Sequence, residues 1–466
     1  MSNTNRRILI ACGGLRVVAC LSISVLGISG VGLGLWLRRQ PTSVAPQNPV
    51  GLQTTPQPIL TPMATTTGDA NLSADVRQQM DEIQSQVIQI RGLQPSQAVQ
   101  RSLITPDELR QQVIDDFLKN YTTEDAHNDS ITLAAFGLLQ PNFDLIPFYT
   151  NLYSEQIAGY YDQKTKQMYV VQGESFQGPE RMTYAHEYTH VLQDQNFDFE
   201  NGLKYNEDAC KNDSERCAGI QALVEGDATF TEQTWLLKYS TALDKQQIQQ
   251  FYQNYQSPVY DSAPDFMKED FLFPYQNGME FVQTLYDQGG WAAVNSAFKN
   301  PPVSSEQILH PEKYPSDEPI QVTLPDLGQT LGSDWHKVSN DTLGEWYTYL
   351  LLAYGQDSAA RVDQATAKEA AKGWGGDAYA VYQRDSDGAI VLVLDDTWDT
   401  SKDATEFGNA FKIYGANRWG KPDQSGNTLT WTTNSSVIQF DQQDAQTLWV
   451  MAPDTTTLEL LRSALK

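Results

Sequence analysis

Residues 181–195 read RMTYAHEYTHVLQDQ and contain two of the five histidines of the chain, His186 and His190, with Glu187 directly after the first. Residues four apart lie on the same face of a helix, so the two imidazoles can bind one metal ion between them. The helical period turns Glu187 about 100° away from His186, where its carboxylate can reach a water bound to the ion. The stretch therefore predicts a helical zinc site with Glu187 as general base.

The segment before this helix predicts a β-hairpin. Residues 157–173 read IAGYYDQKTKQMYVVQG, in which two aromatic or β-branched runs flank a polar turn at Lys164 and Thr165. Pro179 and Glu180 then begin the motif helix. A strand that leads into the motif helix is the order a zinc peptidase needs, because the strand can line the substrate cleft.

A second helix is predicted for residues 219–237, GIQALVEGDATFTEQTWLL, which is largely apolar around Glu225. A buried carboxylate needs a partner such as a metal ion, so Glu225 is the candidate third ligand. The alternative is a buried acid hydrogen-bonded to backbone. Gly226 lets another backbone approach closely, and Asp227 or Asp194 is expected to accept the other ring N–H of a ligand histidine.

HEYTH followed by VEGDA resembles the gluzincin zinc metallopeptidases and a group of exported, largely uncharacterised bacterial proteins of metallopeptidase type. Similar stretches across residues 75–415 are EQIAGYYD, AHEYTHVLQDQ, ALVEGDAT, PPVSSEQILHPEKY and GWGGDAYAVY. The resemblance implies zinc as the cofactor, with His186, His190 and Glu225 as its ligands. It also implies Glu187 as the base, and a mixed α/β catalytic domain whose edge strand, QMYVV, pairs with extended substrate.

The chain departs from the thermolysin-like pattern in the spacing of the third ligand. Thirty-four residues separate His190 from Glu225, so that Asp227 and Glu232 remain alternatives as the third ligand. The excess includes residues 210–217, a polar loop bounded by two cysteines. If the body of the protein is exported, these cysteines are predicted to form a disulfide.

The resemblance aligns no residue that stabilises the oxyanion of the reaction. Three side chains are candidates by their chemistry: His310 and Tyr314 in LHPEKY, and Tyr275 in FPYQNG. The alternative for each is a packing or turn role. We take His310 as the second catalytic candidate beside Glu187.

The charge and the N-terminus of the 466-residue chain restrict its partners and location. The net charge of −26 argues against nucleic acid or an anionic membrane surface as the partner. Residues 17–37 form a run of 21 uncharged residues, long enough to cross a bilayer as a helix, with Arg16 just before it. We predict an uncleaved single-pass anchor with the body of the protein extracytoplasmic; a cleaved signal peptide is the alternative.

Composition and periodicity divide the chain into four parts. Residues 1–40 are the predicted transmembrane anchor, and residues 41–72 are a Pro/Thr-rich stalk that we expect to be disordered. Residues 73–340 are assigned to a zincin-like metallopeptidase domain of helices and a small mixed sheet. Residues 341–466 predict a C-terminal α+β domain with a mostly antiparallel sheet. The predicted fold class is therefore α+β.

Two helices are predicted near the start of the ordered chain. The first begins at the N-cap Ser73 and ends near Gly92, and the second begins at Thr105 and Pro106.

The sequence thus predicts a membrane-anchored, zinc-dependent peptidase that acts on peptide or protein substrates. One alternative is a zinc-stabilised but catalytically silent binding or assembly protein at the membrane. Glu187 argues against it, because a purely structural site has no use for a base. Another alternative is a non-peptidase zinc hydrolase, since the same activated water can attack other carbonyls.

Overall fold

The computed structural model of the chain describes residues 21–25, 72–172 and 175–466. It has an α+β fold with two sheets. The helices are α1 (Ala74–Arg91), α2 (Pro106–Gln112), α3 (Thr123–Phe136), α4 (Leu145–Gln156), α5 (Gly178–Phe197), α6 (Glu207–Asn212), α7 (Ser214–Lys238), α8 (Ala242–Asn254), α9 (Pro258–Asp261), α10 (Asp265–Lys299), α11 (Ser305–Leu309), α12 (Gly328–Leu331), α13 (Gly344–Ala353), α14 (Gln364–Ala371), α15 (Ser401–Trp419) and α16 (Thr455–Ala464). The strands are β1 (Leu21–Val25), β2 (Gln100–Ile104), β3 (Ile157–Asp162), β4 (Gln167–Val171), β5 (Trp335–Asp341), β6 (Trp374–Arg384), β7 (Ile390–Trp398), β8 (Asp423–Ser425), β9 (Thr428–Thr432), β10 (Val437–Gln443) and β11 (Gln446–Ala452).

The first sheet is small and mixed, with the strand order β1-β3-β4-β2. Strands β3 and β4 form the predicted antiparallel hairpin, whereas β2 pairs with β4 in parallel. The prediction that QMYVV is an edge strand is wrong, because β2 covers the outer side of β4. The side of β3 that faces away from β4 pairs with β1 in antiparallel orientation.

The predicted membrane anchor is described only over its residues 21–25, which form β1. The remainder of the predicted span, residues 17–20 and 26–37, and residues 41–71 of the predicted stalk lie outside the described residues. Within the ranges that the structure describes, none of the helices combines the length and the apolar character needed to cross a bilayer.

The second sheet lies in the C-terminal part of the chain and has the order β5-β6-β7-β11-β10-β9-β8. Every neighbouring pair in this sheet is antiparallel, where the sequence predicted a mostly antiparallel sheet. Helix α15 covers one face with an aromatic cluster, in which Phe411 stacks on Phe440 at 4.6 Å between ring centroids. Phe136 at the end of α3 reaches this core and packs edge-on against Trp449, so the sheet shares its core with the preceding helices.

The predicted cap residues determine where the first helices begin and end. The Ser73 side chain accepts a hydrogen bond from the Val76 N–H, and Gly92 ends α1 in the left-handed region at φ 74°. Thr105 forms a capping box with Glu108 at the start of α2, directly before Pro106. Both helices therefore begin where the sequence predicted them.

Two close approaches fix the elements around the motif helix. A Cβ atom added to Gly226 of α7 would lie 2.1 Å from the backbone carbon of Gly278 in α10, so the two helices cross with their backbones in contact. A Cβ atom on Gly159 of β3 would lie 2.7 Å from Thr183 and 3.2 Å from Glu187 of α5. Glycine at these positions lets α10 and β3 reach the motif helix and its partner.

The cysteines of the polar segment form the expected disulfide. Cys210 lies in α6 and Cys217 in the first turn of α7, and their sulfur atoms are bonded. The bond ties the short helix α6 to the helix that carries Glu225.

Candidate metal centre

Helices α5 and α7 bring His186, His190 and Glu225 together in the interior. The capping box of Gln177 and Glu180 begins α5, and the two histidines follow one turn apart on its buried face. His186 Nε2 lies 3.2 Å and His190 Nε2 3.4 Å from the same oxygen, Oε2 of Glu225. The three side chains are 3% exposed or less.

This arrangement fits a divalent metal ion. Zinc bonds of about 2.0–2.1 Å in a tetrahedron place neighbouring ligand atoms about 3.3 Å apart. The two distances from His186 Nε2 and His190 Nε2 to Glu225 agree with that spacing. His190 Nε2 is buried and makes no hydrogen bond, which leaves its lone pair directed at the position that an ion would take. Two imidazoles and one carboxylate are a ligand set typical of zinc.

Glu232, one of the alternatives for the third ligand, has a different place. Its Oε2 lies 2.8 Å from His186 Nδ1, the ring nitrogen that faces away from Glu225. A proton on Nδ1 donates to Glu232 and leaves Nε2 as the metal-binding atom. Burial opposes a second proton on His186, but hydrogen bonds to Glu225 and Glu232 outweigh it and raise its pKa to about 10. A metal ion bound at Nε2 would therefore displace a proton.

His190 is held by a neutral amide rather than by a carboxylate. Its Nδ1 lies 2.8 Å from Oε1 of Gln193, one turn further along α5. The sequence had favoured Asp194 or Asp227 as this acceptor, and neither contacts a histidine among the contacts of the described residues. Asp194 instead binds the Tyr161 hydroxyl and Lys166, whereas Asp227 accepts a hydrogen bond from Gln193 Nε2.

Glu187 is fully buried beside the metal-binding residues. Its charge is one of the factors that raise the pKa of His186, and its Cγ packs under Gly159 of β3. The Glu187 side chain is therefore close both to His186 and to β3. This is the position that a base requires if substrate lies along β3.

Tyr275 of α10 is the oxyanion candidate that reaches this site. Its ring lies 6.4 Å from that of His186, between centroids. Burial, followed by the charges of Glu225 and Glu187, raises the pKa of Tyr275 well above its usual value. The hydroxyl therefore keeps its proton at neutral pH and can donate a hydrogen bond. The crossing of α7 and α10 at Gly278, one turn further on, brings Tyr275 here.

His310 and Tyr314 lie in a junction between the helices and the C-terminal sheet. His310 Nε2 is 2.8 Å from Glu345 Oε1, and this hydrogen bond is the main cause of its raised pKa. The Tyr314 hydroxyl donates to the carbonyl of Asn300. None of the groups that shift the pKa of His310 is a residue of the metal site. Both side chains have hydrogen-bond partners in this junction, and a catalytic role for either stays a prediction.

A second acidic group in the same junction resembles a metal site but already holds a cation. Glu306, Asp317 and Asp399 converge, and Lys313 Nζ lies 2.5 Å, 3.3 Å and 2.6 Å from them. The ammonium group takes the position that an ion would need. This part of PPVSSEQILHPEKY is a salt-bridge cluster that joins α11 to the C-terminal sheet.

Comparison with known proteins covers only the C-terminal part of the chain. Residues 329–462, which contain the seven-stranded sheet, match a family model described as a domain of unknown function, DUF8575. Neither the curated proteins nor the solved structures contain a match to the chain.

Proposed function

We propose that the chain is a membrane-anchored, extracytoplasmic zinc peptidase with a zincin-like catalytic domain. The observation that carries the proposal is the convergence of His186 Nε2, His190 Nε2 and Glu225 Oε2 within 3.4 Å contacts, with Glu187 buried beside them. A purely structural zinc site usually has four protein ligands, whereas three protein ligands leave a position for water or substrate. The residues present therefore favour catalysis over a structural role.

In this proposal Glu187 is the residue that moves protons. Bound zinc would supply a water of lowered pKa and a Lewis acid for the substrate carbonyl. Glu187 takes the proton of the attacking water and then passes it to the leaving amine. Burial near the two histidines keeps bulk water away from this carboxylate, which strengthens its interactions with the reacting atoms.

Tyr275 replaces His310 as the proposed residue that stabilises the oxyanion. A neutral phenol in a buried site donates a hydrogen bond to the oxygen on which negative charge develops. Its raised pKa ensures that the proton is present at neutral pH. The hydrogen bond between His310 and Glu345, by contrast, occupies Nε2 of the imidazole.

Peptides or proteins are the proposed substrates because the edge of β3 that β1 occupies in this structure can pair with an extended chain. Gly159 of β3 packs on Glu187, so a segment that pairs with β3 passes beside the base. Residues 21–25 pair with this edge in antiparallel orientation, with Ser24 opposite Gly159. The edge is therefore compatible with an extended segment of ordinary L-residues. The proposed location at the membrane rests on the uncharged run of residues 17–37. Residues 21–25 of this run pair with β3 in the structure, so the proposed anchor requires them to leave that edge.

The test is cleavage of a mixed pool of unstructured peptides by the purified full-length chain, beside Glu187→Gln. The substitution keeps all three proposed metal ligands and removes the base, so we expect turnover to fall by about 10²–10⁴ while zinc content stays the same. Cleavage by the parent alone would support a peptidase and give its preference. Zinc-loaded parent and Glu187→Gln that are equally silent on peptides would contradict the proposal and favour the binding protein or the non-peptidase hydrolase.

A further inference from the structure

A buried hydrogen-bonded chain leads from the first helix of the structure to the proposed zinc ligand His190. We propose that Arg91, Asp227 and Gln193 are positioning residues that fix the His190 imidazole and its proton for metal binding. The inference rests on the proposed zinc site and adds residues from α1 and α7 to it. We refer to these three residues as the relay.

The hydrogen-bond partners of the Gln193 amide allow it only one orientation. Its Nε2 lies 3.0 Å from the carbonyl oxygen of Val224 and 2.8 Å from Oδ2 of Asp227. Both partners only accept hydrogen bonds, so the NH₂ group must face them. The oxygen Oε1 then faces His190 Nδ1 at 2.8 Å and can only accept a proton from it. The amide thus requires the Nδ1–H tautomer, which leaves the Nε2 lone pair to bind metal.

The guanidinium group of Arg91 holds the carboxylate of Asp227. Arg91 Nε lies 2.8 Å from Oδ1 and 2.9 Å from Oδ2 of this carboxylate. Both side chains are fully buried, so each depends on the other for its charge to be tolerated. The ion pair keeps Asp227 an acceptor and thereby keeps the Gln193 amide in one orientation.

Arg91 is itself held in place by side chains of α10. This residue ends α1, and its guanidinium carbon lies 4.4 Å from the ring centroid of Trp291 in α10. Its Nη1 donates to Oδ1 of Asn295, at 2.7 Å, from the same helix. The guanidinium is therefore fixed by α10 on one side and by Asp227 on the other. Docking of α1 against the remainder of the protein is in this way connected to the proposed zinc ligand.

The two histidines are thus supported differently. His186 donates directly to the carboxylate of Glu232. His190 donates to the Gln193 amide, whose orientation is set by Asp227 and, through Asp227, by Arg91. A neutral acceptor that is held in one orientation selects the tautomer without adding another negative charge next to Glu225. We expect the relay to affect metal affinity, which depends on the tautomer, and not only the stability of the fold.

The experiment measures zinc affinity of the full-length chain by competition with a chelator, for the parent and for Gln193→Met. Methionine keeps the length of the side chain and removes all three hydrogen bonds of the Gln193 amide. We expect affinity to fall about ten- to hundredfold, the range found when a group that orients a metal ligand is removed. Gln193→Asn, which withdraws the oxygen from Nδ1 by one methylene, is the second variant if the methionine protein does not fold.

The matched control is Thr189→Val on the same helix. The Thr189 side chain is equally buried, and its hydroxyl donates only to the Ala185 carbonyl of its own helix. The substitution is also polar to apolar, so it reproduces the packing change without touching the relay. We expect it to retain the parental zinc affinity.

A double substitution distinguishes a relay from a merely structural effect. If Asp227 acts through Gln193, Asp227→Asn weakens zinc binding in the parent but adds nothing in the Gln193→Met background. Additive losses, or a Gln193→Met protein with the parental affinity, would overturn the proposal. His186→Ala serves to show that the affinity measured belongs to this site.

Failure of the zinc site and failure of the relay are separated by a readout that needs no metal. The chain has five histidines, so selective ¹⁵N labelling resolves their ring nitrogens by NMR. We expect His190 to be the Nδ1–H tautomer in the metal-free parent and in Thr189→Val, and to lose that preference in Gln193→Met. An unchanged tautomer in Gln193→Met would refute the relay, even if the parent binds no zinc.

Discussion

Buried acids occur in two regions of the molecule, and they differ in what they face. Between α5 and α7, Glu225 faces two imidazole nitrogens at 3.2 Å and 3.4 Å. In the C-terminal sheet, Asp377 accepts hydrogen bonds from the backbone N–H groups of Leu343 and Gly344 and from the indole of Trp374. Both carboxylates are at most 3% exposed, so burial itself does not distinguish them.

The pKa values of the two acids move in opposite directions. Burial raises the pKa of Glu225, but the neighbouring His190 and His186 outweigh it and hold the value below its usual range. Burial raises the pKa of Asp377 to about 6, in spite of the donors that surround it. The donors of Asp377 are backbone and indole N–H groups that cannot give up their protons, whereas the atoms opposite Glu225 are imidazole nitrogens that can bind a metal ion once deprotonated. Imidazole nitrogens that converge on one carboxylate, rather than buried charge, distinguish the candidate metal centre.

The largest contrast is expected when each acid is replaced by its amide. Glu225→Gln removes the anionic ligand, so we expect zinc to be lost on dialysis and peptide turnover to fall to background. Asp377→Asn is the matched control, and we expect it to retain the zinc content of the parent. Metal analysis of the two dialysed proteins provides the test, and loss of zinc from both would show that the effect is one of folding.

The next largest effect is expected at the proposed oxyanion residue. Tyr275→Phe removes a single hydroxyl near the metal-binding residues, and we expect kcat to fall by about 10²–10³ with zinc content unchanged. His310→Ala removes a side chain of the junction, where we expect lower thermal stability but little change in kcat. Steady-state kinetics of the two variants are compared at saturating substrate. The reverse result would return the role to His310.

The crossing of α7 and α10 predicts a moderate effect on both stability and activity. Gly226→Ala would place its Cβ atom 2.1 Å from the backbone of Gly278, so the helices must separate and carry Tyr275 away from the site. We expect a loss of about 1–3 kcal/mol in the free energy of unfolding, measured in urea, and a lower kcat. Gly355→Ala is the control, since a Cβ atom there meets nothing closer than 3.4 Å. Wild-type stability in Gly226→Ala would contradict the packing described.

The smallest effect is expected from the structural acid of the sheet. Asp377→Asn replaces one carboxylate oxygen by an NH₂ group, so either the N–H of Leu343 or the N–H groups of Gly344 and Trp374 lose their acceptor. We expect the free energy of unfolding to decrease by about 1–3 kcal/mol. Asp387→Asn changes an exposed acid that pairs with Arg384, and we expect no measurable shift of its urea midpoint. Equal midpoints in both variants would remove the structural role of Asp377.

Local signals in the sequence were sufficient for the elements that carry the candidate site. Ser73, Thr105 and Pro106 mark helix starts through hydrogen bonds and backbone angles that act within a few residues. The four-residue spacing of the histidines and the apolar surroundings of Glu225 likewise depend on one helix each. These features are readable because helix formation is local.

The features that the sequence did not reveal depend on contacts between distant segments. The position of β4 in the interior of its sheet is determined by β2, which pairs with it from more than sixty positions earlier in the chain. Gln193 carries no charge or spacing that marks it, and its partner Asp227 is held by Arg91 across 136 positions. Tyr275 likewise reaches the site only through the crossing of α7 and α10.

The most direct test of the metal centre is zinc-edge X-ray absorption of the full-length protein, together with its metal content. We expect one zinc per chain with two imidazole nitrogens and oxygen ligands at about 2.0–2.2 Å, and loss of the oxygen ligand or of the metal in Glu225→Gln. A protein that binds no zinc, or whose bound zinc keeps the same spectrum in Glu225→Gln and His190→Ala, would contradict the proposed metal centre.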